Sequence, residues 1–390
     1  MNKKKGLKDE VLEFIKSEKS VTKTDISNYF KLSAAGTGKI VKELLLENLI
    51  VKAKQGISTG GRPPVILEIN KENLGKVLGV YYAPTFIEIT LGNISGDMYE
   101  SYRYEIETKG EVIFTKGEEL IQEMLNEYSD IGIISVVVNG LIDSKNGIVI
   151  FSPHYNVKNF NLKSRLEEKF NLRVLVENDV RAMALTEKIF GLCKENHNFV
   201  VLNIEEGVGG SIYLNDMLYH GYGSMSGELG HMVVKRESFE ICSCGKKGCL
   251  ETEVSNRDLI KKIFKQIRIN GRYSSLKKIL ENRDIAIDDV IRAYDDKDML
   301  VLAVIGEAIQ YVTYAIDMII SVINPEKIIL YGDIFKSKNI LDRLLKDISK
   351  LTMDEQNYEI NVSNFLTSIY KKAPFSLANY MIFKYWKYLI

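Results

Sequence analysis

Between Lys76 and Ile106, three strand-like runs follow one another with only turn residues between them: KVLGVYYA, FIEITLGNI and MYESYRYEI. A helical stretch near 115–127 leads to IGIISVVV, a short apolar run of the buried-strand type. LKSRLEEKF, RVLVEND and VRAMALTEKIFG then read as helix, strand and helix, and FVVLNIEEGVGGSIYLNDML returns to strands around a Gly-rich turn. Further on, IGEAIQYVTYAIDMIISVINPEKIILYGDI reads as a long helix, a Pro-containing turn and a buried strand. Strands mixed with helices over residues 76–390 predict a three-layer α/β body of two lobes. No internal repeat and no low-complexity tract is legible.

The first 72 residues follow another pattern. Leu7, Val11, Leu12 and Ile15 are at helical spacing. A second helix is expected in TKTDISNYF, capped by Thr22 or Thr24, with Ile26 and Phe30 facing inward. A third starts at the N-cap Ser33 and carries the stripe Ile40, Val41, Leu44 and Leu45, although Gly36 and Gly38 each cost it ~1 kcal/mol relative to Ala. Three short helices in tight succession fit a helix-turn-helix. The following LIVKAKQGISTGGRPPVILEI reads as strand, Gly-rich turn and strand, the layout of a wing. Residues 1–76 hold 15 Lys and Arg against 9 Asp and Glu in a chain whose net charge is zero, so a basic front sits on an acidic body. Ser33, Lys39, Lys42 and the wing's Arg62 are the expected DNA contacts. A small helical interaction domain is the alternative.

Four features of the body carry chemistry. In ENDVRA, Asn178 and Asp179 lie where a strand gives way to a helix. They read first as a helix cap, and also as an amide and a carboxylate able to meet a ligand hydroxyl. In SGELGH, one turn can present both Glu228 and His231. Glu251 stands two residues after a cysteine cluster. Carboxylates, an amide and an imidazole around one cleft suit a polyol, because each hydroxyl both donates and accepts. The cluster itself, CSCGKKGC, places Cys242, Cys244 and Cys249 within eight positions in a chain of four cysteines. With no secretory h-region behind the basic N-terminus and no run of ~18 apolar residues, the expectation is a cytoplasmic protein without a membrane span, where clustered thiols point to a metal. Three thiolates and His231 make a Cys3His zinc set; buried hydrophobic thiols or a transient disulfide are the alternatives.

GELGH, CSCGKKGCLE, VENDVRAMALTE, GVGGSI and NPEKIILYGD together resemble the ROK family of repressors, open reading frames and kinases, and the resemblance spans nearly the whole chain. LSAAGTGKIVKELLLENLI and STGGRPPVILEIN are similar to the winged-helix arm of the family's repressors, which its sugar kinases lack. The resemblance implies an actin-like, hexokinase-type fold behind the winged helix-turn-helix. It implies zinc on His231, Cys242, Cys244 and Cys249, and sugar contacts from Asn178, Asp179, Glu228, His231 and Glu251, with Asp179 matching the kinase base.

Departures from the kinase pattern matter as much. Family kinases open the body with a D-x-G-G-T-type loop that approaches the ATP phosphates. Here Tyr81 stands at the Asp, and Ala83 and Pro84 replace the glycine pair. Glu205 and Glu206 precede the remaining glycines Gly207, Gly209 and Gly210. Asp333 takes a glycine position, and Asn139 replaces the proline before Gly140. The expectation is a repressor, not an enzyme: a homodimer or homotetramer that binds operator DNA and answers to a monosaccharide. The alternative is a sugar kinase with a DNA-binding arm.

Overall fold

The computed structural model describes residues 6–18, 21–47, 49–55, 65–70, 75–106, 110–351 and 358–385. The chain begins with helices α1 (Leu7–Glu18), α2 (Lys23–Phe30) and α3 (Ala34–Leu46), followed by the antiparallel pair β1 (Ile50–Gln55) and β2 (Val65–Ile69). Thr22, not Thr24, caps α2, in a reciprocal box with Asp25. Ser33 caps α3 by accepting from the Gly36 amide, and α3 runs unbroken through both glycines because Thr37, Val41 and Leu44 are buried. Ser27 donates to Thr37 across the α2–α3 contact. Leu7, at the open end of its stripe, is 41% exposed. Arg62 and the rest of the wing's turn lie outside the described residues.

Next come β3 (Lys76–Tyr82), β4 (Phe86–Gly92), β5 (Met98–Glu105), α4 (Val112–Glu127), β6 (Ile131–Val138), the small antiparallel sheet of β7 (Leu141–Asp143), β8 (Ile148–Ser152) and β9 (Val157–Asn161), α5 (Leu162–Phe170), β10 (Arg173–Asn178) and α6 (Asp179–Ile189). The first lobe's sheet has the order β10-β6-β3-β4-β5, with β3, β6 and β10 parallel and β4 and β5 antiparallel.

The second lobe comprises β11 (Phe199–Ile204), β12 (Val208–Leu214), β13 (Met217–Leu218), α7 (Leu250–Val254), α8 (Asn256–Arg268), α9 (Lys277–Leu280), α10 (Ile287–Asp295), α11 (Met299–Ile323), β14 (Lys327–Tyr331), α12 (Lys338–Ile348) and β15 (Glu359–Val362). Its sheet order is β13-β12-β11-β14-β15, with β11, β14 and β15 parallel and β12 and β13 antiparallel. Each lobe is thus a three-strand meander extended on one side by two parallel strands. The topology repeats although no repeat can be read in the sequence: β-sheet order depends on apolar alternation, which many residues satisfy equally.

The last helix, α13 (Ile369–Tyr385), returns to the first lobe, packs along α6 and β3, and touches α1. α11 is long and apolar enough to cross a membrane by length and composition. It is nevertheless a core helix, half buried against α7, α8, α10 and α12.

Candidate functional site

Asn178 ends β10 and caps α6: its Oδ1 accepts from the Arg181 amide at 3.0 Å. The cap and the site are therefore the same residue. Its Nδ2 donates to the Gly140 carbonyl at 2.9 Å and to Asp179 Oδ1 at 2.7 Å. Asp179, 8% exposed, also accepts from the Val180 amide at 3.0 Å and, on Oδ2, from Asn139 Nδ2 at 2.7 Å. Burial raises its pKa, opposed first by the Asn139 amide.

One layer deeper is a network that no sequence motif announced. The buried Glu177 accepts from Ser144 Oγ at 2.6 Å, Arg181 Nε at 2.6 Å and the Asn178 amide at 2.7 Å, and pairs with His220 Nε2 at 3.0 Å. Arg181 donates further to the carbonyls of Ile142 at 2.7 Å and Ser224 at 3.1 Å. Burial opposes ionisation of Glu177, but the Arg181 charge, then His220, outweighs it and holds the carboxyl at about 2. His220 and Ser224 belong to the segment that leads to Glu228, so the network fastens that segment to the first lobe. Glu177 and Arg181 stand four apart across the strand-to-helix junction, a spacing that surface pairs share and that does not by itself mark a buried network.

Glu228 and His231 flank a single 3-10 turn, with Glu228 Oε2 at 3.7 Å from His231 Nε2. Glu251, near the start of α7, accepts from the Val208 amide at 3.2 Å. The glycines between them are explained by packing. A Cβ on Gly209 would meet Val180 Cγ2 at 2.7 Å, one on Gly210 would meet Leu229 Cδ1 at 2.3 Å, and one on Gly230 would meet the Val208 carbonyl oxygen at 2.1 Å. β12 is thereby pressed between the α6 N-terminus and the Glu228–His231 turn, which brings Asp179, with Asn178 beside it, and Glu251 into electrostatic reach of Glu228, with His231 next to it.

His231, Cys242, Cys244 and Cys249 form a cluster whose ligand atoms all lie within 4.8 Å of one another, a set that could hold a metal ion. Cys242 Sγ is 3.3 Å from His231 Nδ1, and Cys244 Sγ is 3.6 Å from Cys249 Sγ. The imidazole thus turns Nδ1 toward the thiols and Nε2 toward Glu228. Burial, then the neighbouring Cys244 and Cys242 thiols, push Cys249 up to about 12, and a cation coordinated among them reverses this. Cys193 is buried elsewhere.

At the position of a phosphate loop, Tyr81 is 3% exposed and meets Tyr370 edge-on at 5.0 Å, while Tyr370 meets Phe86 at 5.0 Å. In the head, Ser33, Lys39 and Lys42 are exposed on α3. At the head's other side, Lys16 of α1 donates to Asn379 Oδ1 of α13 at 2.7 Å and lies 4.3 Å over the Phe383 ring, and Asn379 donates to the Ile94 carbonyl at 2.7 Å.

The ROK family profile matches residues 77–370. The chain is 29% identical over 367 residues to the xylose repressor of Caldicellulosiruptor bescii, covering 90% of this chain and 89% of the relative. It is 26% identical over 330 residues to NagC, a DNA-binding transcriptional dual regulator of Escherichia coli, covering 82% and 79%. A solved ROK family transcriptional regulator, a homologue of the E. coli MLC protein, superposes with a TM-score of 0.83 at 29% identity over 95% of each chain. With its two lobes of the hexokinase type and a helix-turn-helix arm in front, the chain belongs to the ROK family.

Proposed function

We propose that this chain is a sugar-responsive transcriptional repressor acting in the cytoplasm. A monosaccharide binds at Asn178, Asp179, Glu228, His231 and Glu251, and Ser33, Lys39, Lys42 and Arg62 meet operator DNA. The observation that carries the reading is Tyr81 packed against Tyr370 where a kinase of the family would hold phosphates, with the carboxylates of Asp179, Glu228 and Glu251 close by, on a chain with a helix-turn-helix head. Relatives over most of the chain's length are named as repressors, which supports it.

Zinc suits the Cys3His cluster. Zinc bonds of about 2.3 Å to sulfur and 2.0–2.1 Å to nitrogen in a tetrahedron separate two sulfurs by roughly 3.8 Å and sulfur from nitrogen by roughly 3.5 Å. The spacings of 3.3 Å from sulfur to nitrogen and 3.6 Å between sulfurs lie close to these values, and with all four ligand atoms within 4.8 Å of one another small side-chain adjustments bring the set onto an ion. Four protein ligands leave no open position, so the metal's role is structural: it pins the loop that carries His231 and leads into Glu251.

Sugar binding closes the lobes, and the change passes from the α6 N-terminus, along the α6–α13 packing, to the α13–α1 contact at Asn379 and Lys16. Coupling of this kind is typically worth ~1–3 kcal/mol. A homodimer, or a homotetramer built from it, presents two heads to a palindromic operator. Gel shifts with the chain's own upstream DNA, with and without a panel of monosaccharides, test the proposal. The expected result is a shift that one sugar alters at least about fivefold. No shift at low salt, or a shift that no sugar changes, refutes it.

A further inference from the structure

The charge of the cleft narrows the ligand class. Resting on the sugar-pocket reading above, we infer that the effector is an uncharged monosaccharide and that sugar phosphates are excluded.

Asp179, Glu228 and Glu251 line the pocket: Glu251 accepts from the Val208 amide of β12, Gly209 of the same strand packs against Val180 next to Asp179, and Gly210 packs against Leu229 next to Glu228. Beyond Asp179, toward Tyr81, two more carboxylates close the end where a kinase would hold its phosphates. Glu205 follows β11. Gly332, which precedes Asp333, packs so tightly against that strand end that a Cβ on it would meet the Ile204 carbonyl oxygen at 2.1 Å. Burial, then the charges of Asp333 and Asp179, push Glu205 up to about 7, a sign of how densely acids are gathered there.

Several nearby cations are committed to other partners, while His154 stands within electrostatic reach of Asp179. Arg181 is held by Glu177 and the carbonyls of Ile142 and Ser224. Lys336 pairs with Asp333 at 2.7 Å. Arg103 pairs with Glu88 at 2.8 Å and stacks 3.8 Å over Phe86. Arg257 pairs with Asp258 at 3.2 Å and Glu251 at 3.8 Å.

Several backbone donors that could greet a phosphate are taken as well. A helix N-terminus is a natural anion site, but at α6 the Val180 and Arg181 amides are capped by Asp179 and Asn178. The Val208 amide serves Glu251, the Ala83 amide serves the Phe86 carbonyl, and Pro84 has none. A dianion in this pocket meets carboxylates, two tyrosines packed edge-on and no unpaired donor among these, whereas the hydroxyls of a neutral sugar find acceptors ready to receive them.

Calorimetric titration of the full chain compares xylose, glucose and N-acetylglucosamine with glucose 6-phosphate, glucose 1-phosphate and N-acetylglucosamine 6-phosphate, at low and high salt. The expected result is that at least one free sugar binds, that its phosphate binds at least about tenfold more weakly, and that the gap narrows with salt and in Glu205→Gln. A phosphate ester that binds as tightly as its parent sugar, or more tightly, overturns this inference and leaves the sugar pocket standing. No binding by any compound in the panel overturns the pocket reading itself, and this inference with it.

Discussion

Glu177→Gln tests how the cleft is held. Glu177 and Arg181 are an ion pair with side chains 3% and 4% exposed. Glutamine keeps the size but removes the charge, leaving a buried guanidinium with only neutral partners. Breaking one side of a buried pair costs about 3–5 kcal/mol. The carboxyl's own titration gives a similar figure: the gap between 4.5 and about 2 corresponds to roughly 3 kcal/mol. A depressed folded-state pKa means that this stabilisation is complete above pH 4.5 and is lost as the pH falls toward 2. Urea unfolding followed by circular dichroism should therefore show a deficit of roughly 3 kcal/mol at pH 7, shrinking to about half by pH 3. Because Glu177 and Arg181 fasten His220 and Ser224, sugar affinity should fall in the same variant while its metal content stays unchanged. A deficit below about 1 kcal/mol at pH 7, or one that is as large at pH 3, refutes the reasoning.

Purified protein should carry about one zinc per chain by native mass spectrometry, and Cys244→Ser should release it and weaken sugar binding. Full sugar affinity in a metal-free Cys244→Ser protein would show that the metal has no part in shaping the pocket. Lys39→Ala and Lys42→Ala should each weaken operator binding and lower the slope of log affinity against log salt by roughly one if the side chain meets a phosphate; an unchanged slope removes that residue from the interface.

Much of the architecture was legible because it rests on periodicity and punctuation. Leu7, Val11, Leu12 and Ile15 mark α1, the Ser33 and Asn178 caps mark α3 and α6, and the strand runs after Lys76 mark the first sheet. The metal cluster was legible because CSCGKKGC is a local pattern and its fourth member is one of only four histidines. What was not legible is what long-range folding assembles. Glu177, Ser144 and His220 are separated by 33 and 43 residues, and nothing local distinguishes a buried Glu that pairs with Arg181 from a surface one. The contact of Lys16 with Asn379 spans 363 residues. Gly209 and Gly210 read as remnants of a phosphate turn. Their backbone lets Val180 and Leu229 approach, and a packing requirement leaves the same letter in the sequence as a ligand-binding one.

The contrast between sensing and catalysis comes down to Asp179. A general base must be free to give up its charge to a proton. Two amide side chains and a backbone amide donate to this carboxylate, so three of its roughly four acceptor positions are filled and one remains. Accepting a hydrogen bond from a sugar hydroxyl completes that set. Taking the proton outright would weaken three existing hydrogen bonds at once, and these oppose the burial that raises the carboxyl's pKa. Asn139, standing where kinases of the family carry proline, supplies one of the three. The substitution therefore acts on the carboxylate itself, and with Tyr81 packed against Tyr370 this arrangement favours recognising a hydroxyl over activating it.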